Sequence, residues 1–144
     1  MSKKSGRIAE MIAELQGGAL DAHYLGYFAC FNQQLFYEAH DVLEELWLAQ
    51  RGERNDLFYK GLIQLAGAFV HLQKNRLRPA AALFRLAQTN IAQYPARHEH
   101  LDTAMVLALI QEWLQSLESS NFENNPLSAT NAPRLSPHQG TASS

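Results

Sequence analysis

The stretch Phe36–Trp47, FYEAHDVLEELW, puts four carboxylates and one histidine into twelve residues that otherwise read as a helix. These are the side chains that ligate metals and move protons, so the face each occupies decides whether they do chemistry. At about 100° per residue, Glu38, Asp41 and Glu45 fall in one narrow sector and are expected to form a solvated face. Opposite them lie Phe36, His40, Leu43 and Trp47, with Glu44 at the border of that apolar sector. His40 and Glu44 stand four residues apart and can touch.

A second polar pair follows in GLIQLAGAFVHL, Gly61–Leu72, which is apolar nearly all round and marks a central buried helix. Its polar side chains, Gln64 and His71, are seven residues apart and share a stripe with Leu57, Gly61 and Ala68, where a neighbouring helix can approach closely. A buried glutamine or histidine left unpaired costs about 1–3 kcal/mol, so both need partners. Antiparallel packing across the short GERND loop points to His40 and Glu44. The expectation is a polar cluster of His40, Glu44, Gln64 and His71 inside the bundle.

Such a cluster has three uses. It can fix helix register, as buried polar residues do elsewhere. It can hold a divalent metal (zinc, iron or manganese) through His40, Glu44 and His71, the ligand types those ions take. It can run acid–base chemistry, with a carboxylate orienting an imidazole. The spacing is not a known metal signature: there is no H-E-x-x-H, and E-A-H is not the E-x-x-H of di-iron bundles.

The elements that must position these residues are helical almost throughout. Ile8, Met11, Ile12 and Leu15 outline a short amphipathic segment stopped by Gly17-Gly18. Helical runs follow over about 22–31 and 33–50, with Asn32 either breaking or kinking them. A further run starts at the N-cap candidates Asn55-Asp56 and reaches about Lys74. The next has Pro79 in its first turn and is closed by Pro95, and the last covers about 100–117. From Asn121 the chain is rich in Asn, Pro and Ser and is expected to be disordered. The fold expected is all-α: a bundle of four main helices over 21–119, a short N-terminal helix in 1–20, and a disordered tail over 120–144.

Read together, the quoted stretches resemble a family of small all-helical bacterial and archaeal proteins, the domain of unknown function 309. Its pattern is a Phe-Asn opening, then Glu-x-His, Leu-Glu and Trp on one helix and Gly-Leu-Ile-Gln on the next. Here these are Phe31-Asn32, Glu38 with His40, Leu43-Glu44, Trp47, and Gly61 to Gln64, with His71 and Asn75 downstream. The resemblance covers about residues 24–95. One departure is Lys74 before Asn75, where many members carry Gly. The resemblance implies an all-α bundle and no established activity. It also places Glu38 among the motif residues, so the ligand-binding candidates become Glu38, His40, Glu44, Trp47, Gln64, His71 and Asn75.

Composition excludes several classes. A net charge of −2 over 144 residues argues against bulk attraction to nucleic acid. The single cysteine, Cys30, allows no internal disulfide and no thiolate cluster; it sits among Tyr27, Phe28 and Phe31 and reads as a core residue. No apolar run is long enough to span a bilayer, and no signal-peptide pattern opens the chain, so a cytoplasmic location without membrane contact is expected. Lys74, Arg76, Arg78 and Arg85 gather at one helix junction, where phosphate could bind but a solvated hinge is the simpler reading. His98-Glu99-His100 with Asp102 reads as a polar connection. The function expected is a small-ligand-binding or protein-interaction module, with a homodimer or protein partner. The alternative is a metal-dependent or acid–base enzyme, hydrolase-like, centred on His40, Glu44 and His71.

Overall fold

A computed structural model describes residues 20–137, so nearly all of the expected N-terminal segment and residues 138–144 lie outside the described residues. Five helices form the described bundle: α1 (Ala22–Asn32), α2 (Phe36–Ala49), α3 (Asp56–Gln73), α4 (Leu77–Ile91) and α5 (Thr103–Ser119). Between α4 and α5 a two-residue antiparallel pair, β1 (Arg97–His98) with β2 (Leu101–Asp102), makes a tight hairpin. No described helix is long and apolar enough to cross a membrane.

The helix ends explain the divisions. Asp21 caps α1 by accepting from the His23 backbone N–H at 2.7 Å, and Asp102 caps α5 through the Met105 N–H at 3.0 Å. Three helices stop in the same way, with a residue in the left-handed region just past the last turn. Gln34 (φ 63°) ends α1, Asn75 (φ 57°) ends α3 and Asn121 (φ 55°) ends α5. In each, the next residue's N–H reaches back to a carbonyl of the last turn: Leu35 to Cys30, Arg76 to His71, Phe122 to Leu117. The chain therefore breaks between α1 and α2 at Gln34. It also explains why Lys74 is tolerated before Asn75: the left-handed residue is the asparagine, a residue type that accepts that conformation without needing glycine.

The helices pack mainly on their neighbours in the chain, α1 on α2, α2 on α3, α3 on α4 and α4 on α5. The centre of the core is aromatic. The Phe69 ring of α3 meets Phe31, Phe36, Phe84 and Trp113 at centroid distances of 5.6, 5.0, 5.3 and 5.0 Å, one ring from each of the other four helices. Gly61, on the same helix, lets α4 approach so closely that an added Cβ would lie 2.6 Å from Ile91 Cγ1.

The tail expected to be disordered from residue 120 instead lies against the bundle as far as it is described. Leu135 is 1% exposed, and its backbone is bracketed by the Asn32 amide, which donates to the Leu135 carbonyl and accepts from its N–H, each at 2.7 Å. Asn125 donates to the Leu72 carbonyl at 2.7 Å, and the Arg78 guanidinium lies 4.5 Å from the Phe122 ring centre. The composition misleads because three isolated apolar residues (Phe122, Leu127 and Leu135) and two asparagines do the anchoring.

Candidate functional site

The stripe of α3 that carries Gln64 and His71 does not end up sealed within the bundle. Together with α2 and α4 it walls a half-open groove of about 310 Å³. Tyr37 and His40 line it from α2, Ile63, Gln64, Gly67, Val70 and His71 from α3, Leu83 from α4, and Lys74 stands at the end of α3. Three of the four residues expected to cluster, His40, Gln64 and His71, thus share one surface groove. The expectation of a fully buried cluster is corrected, because Phe36, Ala39, Val42, Leu43 and Leu46 take the inward face of α2 and leave His40 and Glu44 at its edge.

Each polar group has its own setting. The His40 Nδ1 lies 3.0 Å from Asp41 Oδ1, and its ring stacks against Tyr37 with centroids 6.1 Å apart. A carboxylate only accepts, so Nδ1 carries the proton and a neutral His40 keeps Nε2 as its acceptor. Gln64 is held by neither histidine: its Oε1 accepts from Asn90 Nδ2 at 2.8 Å, across the α3–α4 contact. His71 is the exception, with a buried Nδ1 that has no hydrogen-bond partner among the described residues. Burial, then the nearby Arg76 and Lys74 charges, hold its pKa below the ordinary value, so the ring is neutral near pH 7.

The metal-ligating set differs from the one expected. One ligand atom from each of His40, Asp41 and Glu44 lies within 4.8 Å of the others, and His71 is not in that group. Asp41, expected on the solvated face, is only 17% exposed and joins it, whereas Glu45 is 57% exposed and meets His23 at 3.0 Å. Glu44 lies three residues from Asp41 and four from His40, the spacings that make neighbours on a helix, and His40 Nδ1 meets Asp41 Oδ1 at 3.0 Å.

Two other candidates stand elsewhere. Trp47 buckles the α2–α3 turn, its Nε1 donating to Asp56 Oδ1 at 2.6 Å while Gly52 N–H donates to Oδ2 at 2.7 Å. Those bonds, the Gly52 amide first, hold the Asp56 carboxyl below its usual pKa. Asn75 terminates α3 and accepts from Asn125 at 3.3 Å, which is a structural task. Glu38 sits half-buried in the first turn of α2, where its charge suits the helix N-terminus.

A second polar centre was not foreseen. Asn55, at the start of α3, donates to Glu99 Oε2 at 2.9 Å and receives His98 Nε2 on its Oδ1 at 2.7 Å. Because the carboxylate can only accept, the amide orientation and the His98 tautomer are both set. The His98 ring, 7% exposed, packs against Phe58 and Tyr94, and Tyr24 donates to the Glu99 carbonyl at 2.8 Å. Glu99 and His100 hold successive positive φ values of 48° and 63°, which the hairpin must supply for these bonds to form. The local signal was visible as His-Glu-His, but its partner lies 43 residues upstream.

Burial lowers the His98 pKa, with Glu99 opposing and Arg54 adding to the shift. The unfolded chain, with histidine near 6.5, therefore binds more protons than the folded one below about that pH. Stability is expected to be level above about pH 7 and to fall as pH drops through about 6. His71 contributes in the same direction. Urea unfolding at several pH values checks this, and His98→Gln should flatten the slope; a midpoint rising on acidification would contradict it.

Comparison with known proteins finds uncharacterized relatives and a family model similar to part of this chain. A 91-residue stretch is 28% identical to a protein of Aquifex aeolicus described as uncharacterized, covering 63% of this chain and 27% of that protein. A 102-residue stretch is 28% identical to the uncharacterized protein YpuF of Bacillus subtilis, covering 67% and 57%. The chain thus spans between about a quarter and just over half of the length of these relatives. No solved structure matches it significantly. Residues 24–83, which hold His40, Asp41, Glu44, Gln64 and His71, match the family described as a domain of unknown function, DUF309, and over that segment the chain is similar to it.

Proposed function

We propose that the chain is a small-ligand-binding module whose site is the groove between α2, α3 and α4. The ligand has a short apolar body and one polar or anionic group. The observation that carries this is the groove lining: His40, Gln64 and His71 bring polar groups beside the apolar Ile63, Val70 and Leu83, and the buried His71 Nδ1 has no hydrogen-bond partner among the described residues. An unpaired buried nitrogen costs about 1–3 kcal/mol, which a ligand group bonding to it would recover. Gly67 supports the same reading. A mid-helix glycine costs about 0.5–1 kcal/mol against alanine, and here the missing Cβ keeps the groove floor clear, only 3.1 Å from Leu83 Cδ1. Lys74 at the rim supplies a cation for an anionic group.

The dye 8-anilinonaphthalene-1-sulfonate, an apolar body with an anionic head, tests the groove directly. Saturable one-to-one binding is expected, lost in Gly67→Met, whose side chain occupies the floor, with the unfolding midpoint preserved. Equal binding by Gly67→Met would remove the groove as the site.

The His40, Asp41 and Glu44 arrangement favours a second reading, a metal-dependent acid–base enzyme. One imidazole with two carboxylates suits manganese, iron or zinc. It would set a Lewis acid beside the groove that His40 also lines. Metal content per chain in tag-free protein, and manganese or zinc titration by calorimetry, test it. Near-stoichiometric metal abolished by Glu44→Gln supports the reading; no binding in either measurement ends it.

A further inference from the structure

We infer that the outer side of α2 is a docking surface for a segment of the same chain, the basic, amphipathic stretch 3–15 that precedes α1. The surface comes first. Tyr37, Asp41, Glu44 and Leu48 follow one another at steps of four, three and four residues, so they form one line along α2. Tyr37 is 51% exposed and Leu48 54%, two large apolar side chains at the ends of that line. The helix also carries Glu38 and Glu45 and neither lysine nor arginine, so its outer side is acidic along its length.

Charge and reach select the occupant. Residues 3–9 hold Lys3, Lys4 and Arg7 and no acid. On helical spacing Ile8, Met11, Ile12 and Leu15 share one face, Lys4 and Arg7 border it, and Glu10 and Glu14 fall on the opposite side. Such a stripe needs an apolar partner, and its bordering cations complement the carboxylates of α2. The point of attachment suits this. Leu20 packs on the core, and His23 in the first turn of α1 meets Glu45 of α2 at 3.0 Å. Residues 16–19 can span about 13 Å, and Gly17-Gly18 let the chain turn freely. As a helix, residues 3–15 would be about 20 Å long, a match to the 14 residues of α2. So short a tether holds the segment near α2 at an effective concentration in the millimolar range, an advantage that a second copy or a free partner lacks.

Hydrogen exchange of the full-length chain, read by mass spectrometry at two protein concentrations, tests the inference. Amides of residues 8–15 are expected to exchange roughly tenfold or more slowly relative to an undocked segment, equally at both concentrations. Two variants should abolish that protection. Tyr37→Asp puts a charge in place of an exposed apolar end of the docking line. The combined Lys3→Glu, Lys4→Glu and Arg7→Glu turns the attraction into repulsion and leaves every buried residue of the bundle untouched. Acids near a helix N-terminus favour the helix itself, so loss of protection in this second variant reports the contact with α2 and not the segment's own propensity. Fast exchange in the parent chain, or protection that survives either variant, overturns the inference. Protection that rises with concentration overturns it too, by making a second copy the occupant.

Discussion

Phe69→Ala is expected to destabilise the bundle by about 3–5 kcal/mol, a large part of the roughly 5–15 kcal/mol that holds a domain together. The reason is position more than size. The ring is fully buried and contacts one aromatic side chain from each of the other four helices. Three of those contacts are near-perpendicular and the Phe36 contact is stacked, geometries each worth about 0.5–1.5 kcal/mol beyond the buried area. No single movement can close a hole lined from four directions, so the cavity should persist. Phe69→Leu, which keeps most of the volume, should lose markedly less. Guanidinium unfolding of the three proteins checks the order, and a loss below about 1 kcal/mol for the alanine variant would show that the helices close around the gap.

Gly61→Ala comes next, with an expected net loss of up to about 2 kcal/mol. Overpacking costs roughly 1–3 kcal/mol, and the better helix propensity of alanine returns about 1. The methyl group would stand 2.6 Å from Ile91 Cγ1 and 3.3 Å from Asn90 Cβ, and Ile91 has no exposed side from which to retreat. The only relief is for α4 to move away. That movement would stretch the Asn90–Gln64 hydrogen bond and widen the candidate groove, so ligand affinity should fall with stability. A double-mutant cycle with Ile91→Ala, which removes the clashing Cγ1, should show a coupling on the order of 1 kcal/mol. Strict additivity would mean that the helices are not in contact as described. Gly67→Ala is the contrast: its added Cβ meets only the flexible end of Leu83, so stability should hold or rise slightly.

These two glycines also show what the sequence could and could not convey. Periodicity placed all five described helices to within a few residues, because each has a long apolar stripe and a recognisable stop. The close approach of a helix at Gly61 was readable, since a glycine on a buried stripe has few other uses. The depth of the polar cluster was not. Whether His40 sits inside or at the edge depends on a helix rotation of a few tens of degrees, set by how Phe36 and Val42 pack against other helices. Asp41 was misassigned for the same reason. The pairing of Asn55 with His98 and Glu99 was invisible because it depends on the path of the hairpin, which brings together residues 43 and 44 apart. The tail misled in another way. Disorder is inferred from average composition, whereas docking depends on a few residues finding receptors, and Asn32 gives no local sign of being one.

The neighbour-on-neighbour packing of the helices has a consequence for how quickly the molecule assembles. Contacts between consecutive helices close short loops, so little chain entropy is lost before each contact forms, and topologies of this kind fold in microseconds to milliseconds. The Asn32–Leu135 bracket belongs to a different regime, since it joins positions 103 residues apart. It should form last, after the bundle has presented both receptors. During synthesis the first four helices can pack while the final segment is still inside the ribosome, and stopped-flow fluorescence of Trp47 and Trp113 should then show a fast collapse separate from any later step at the tail.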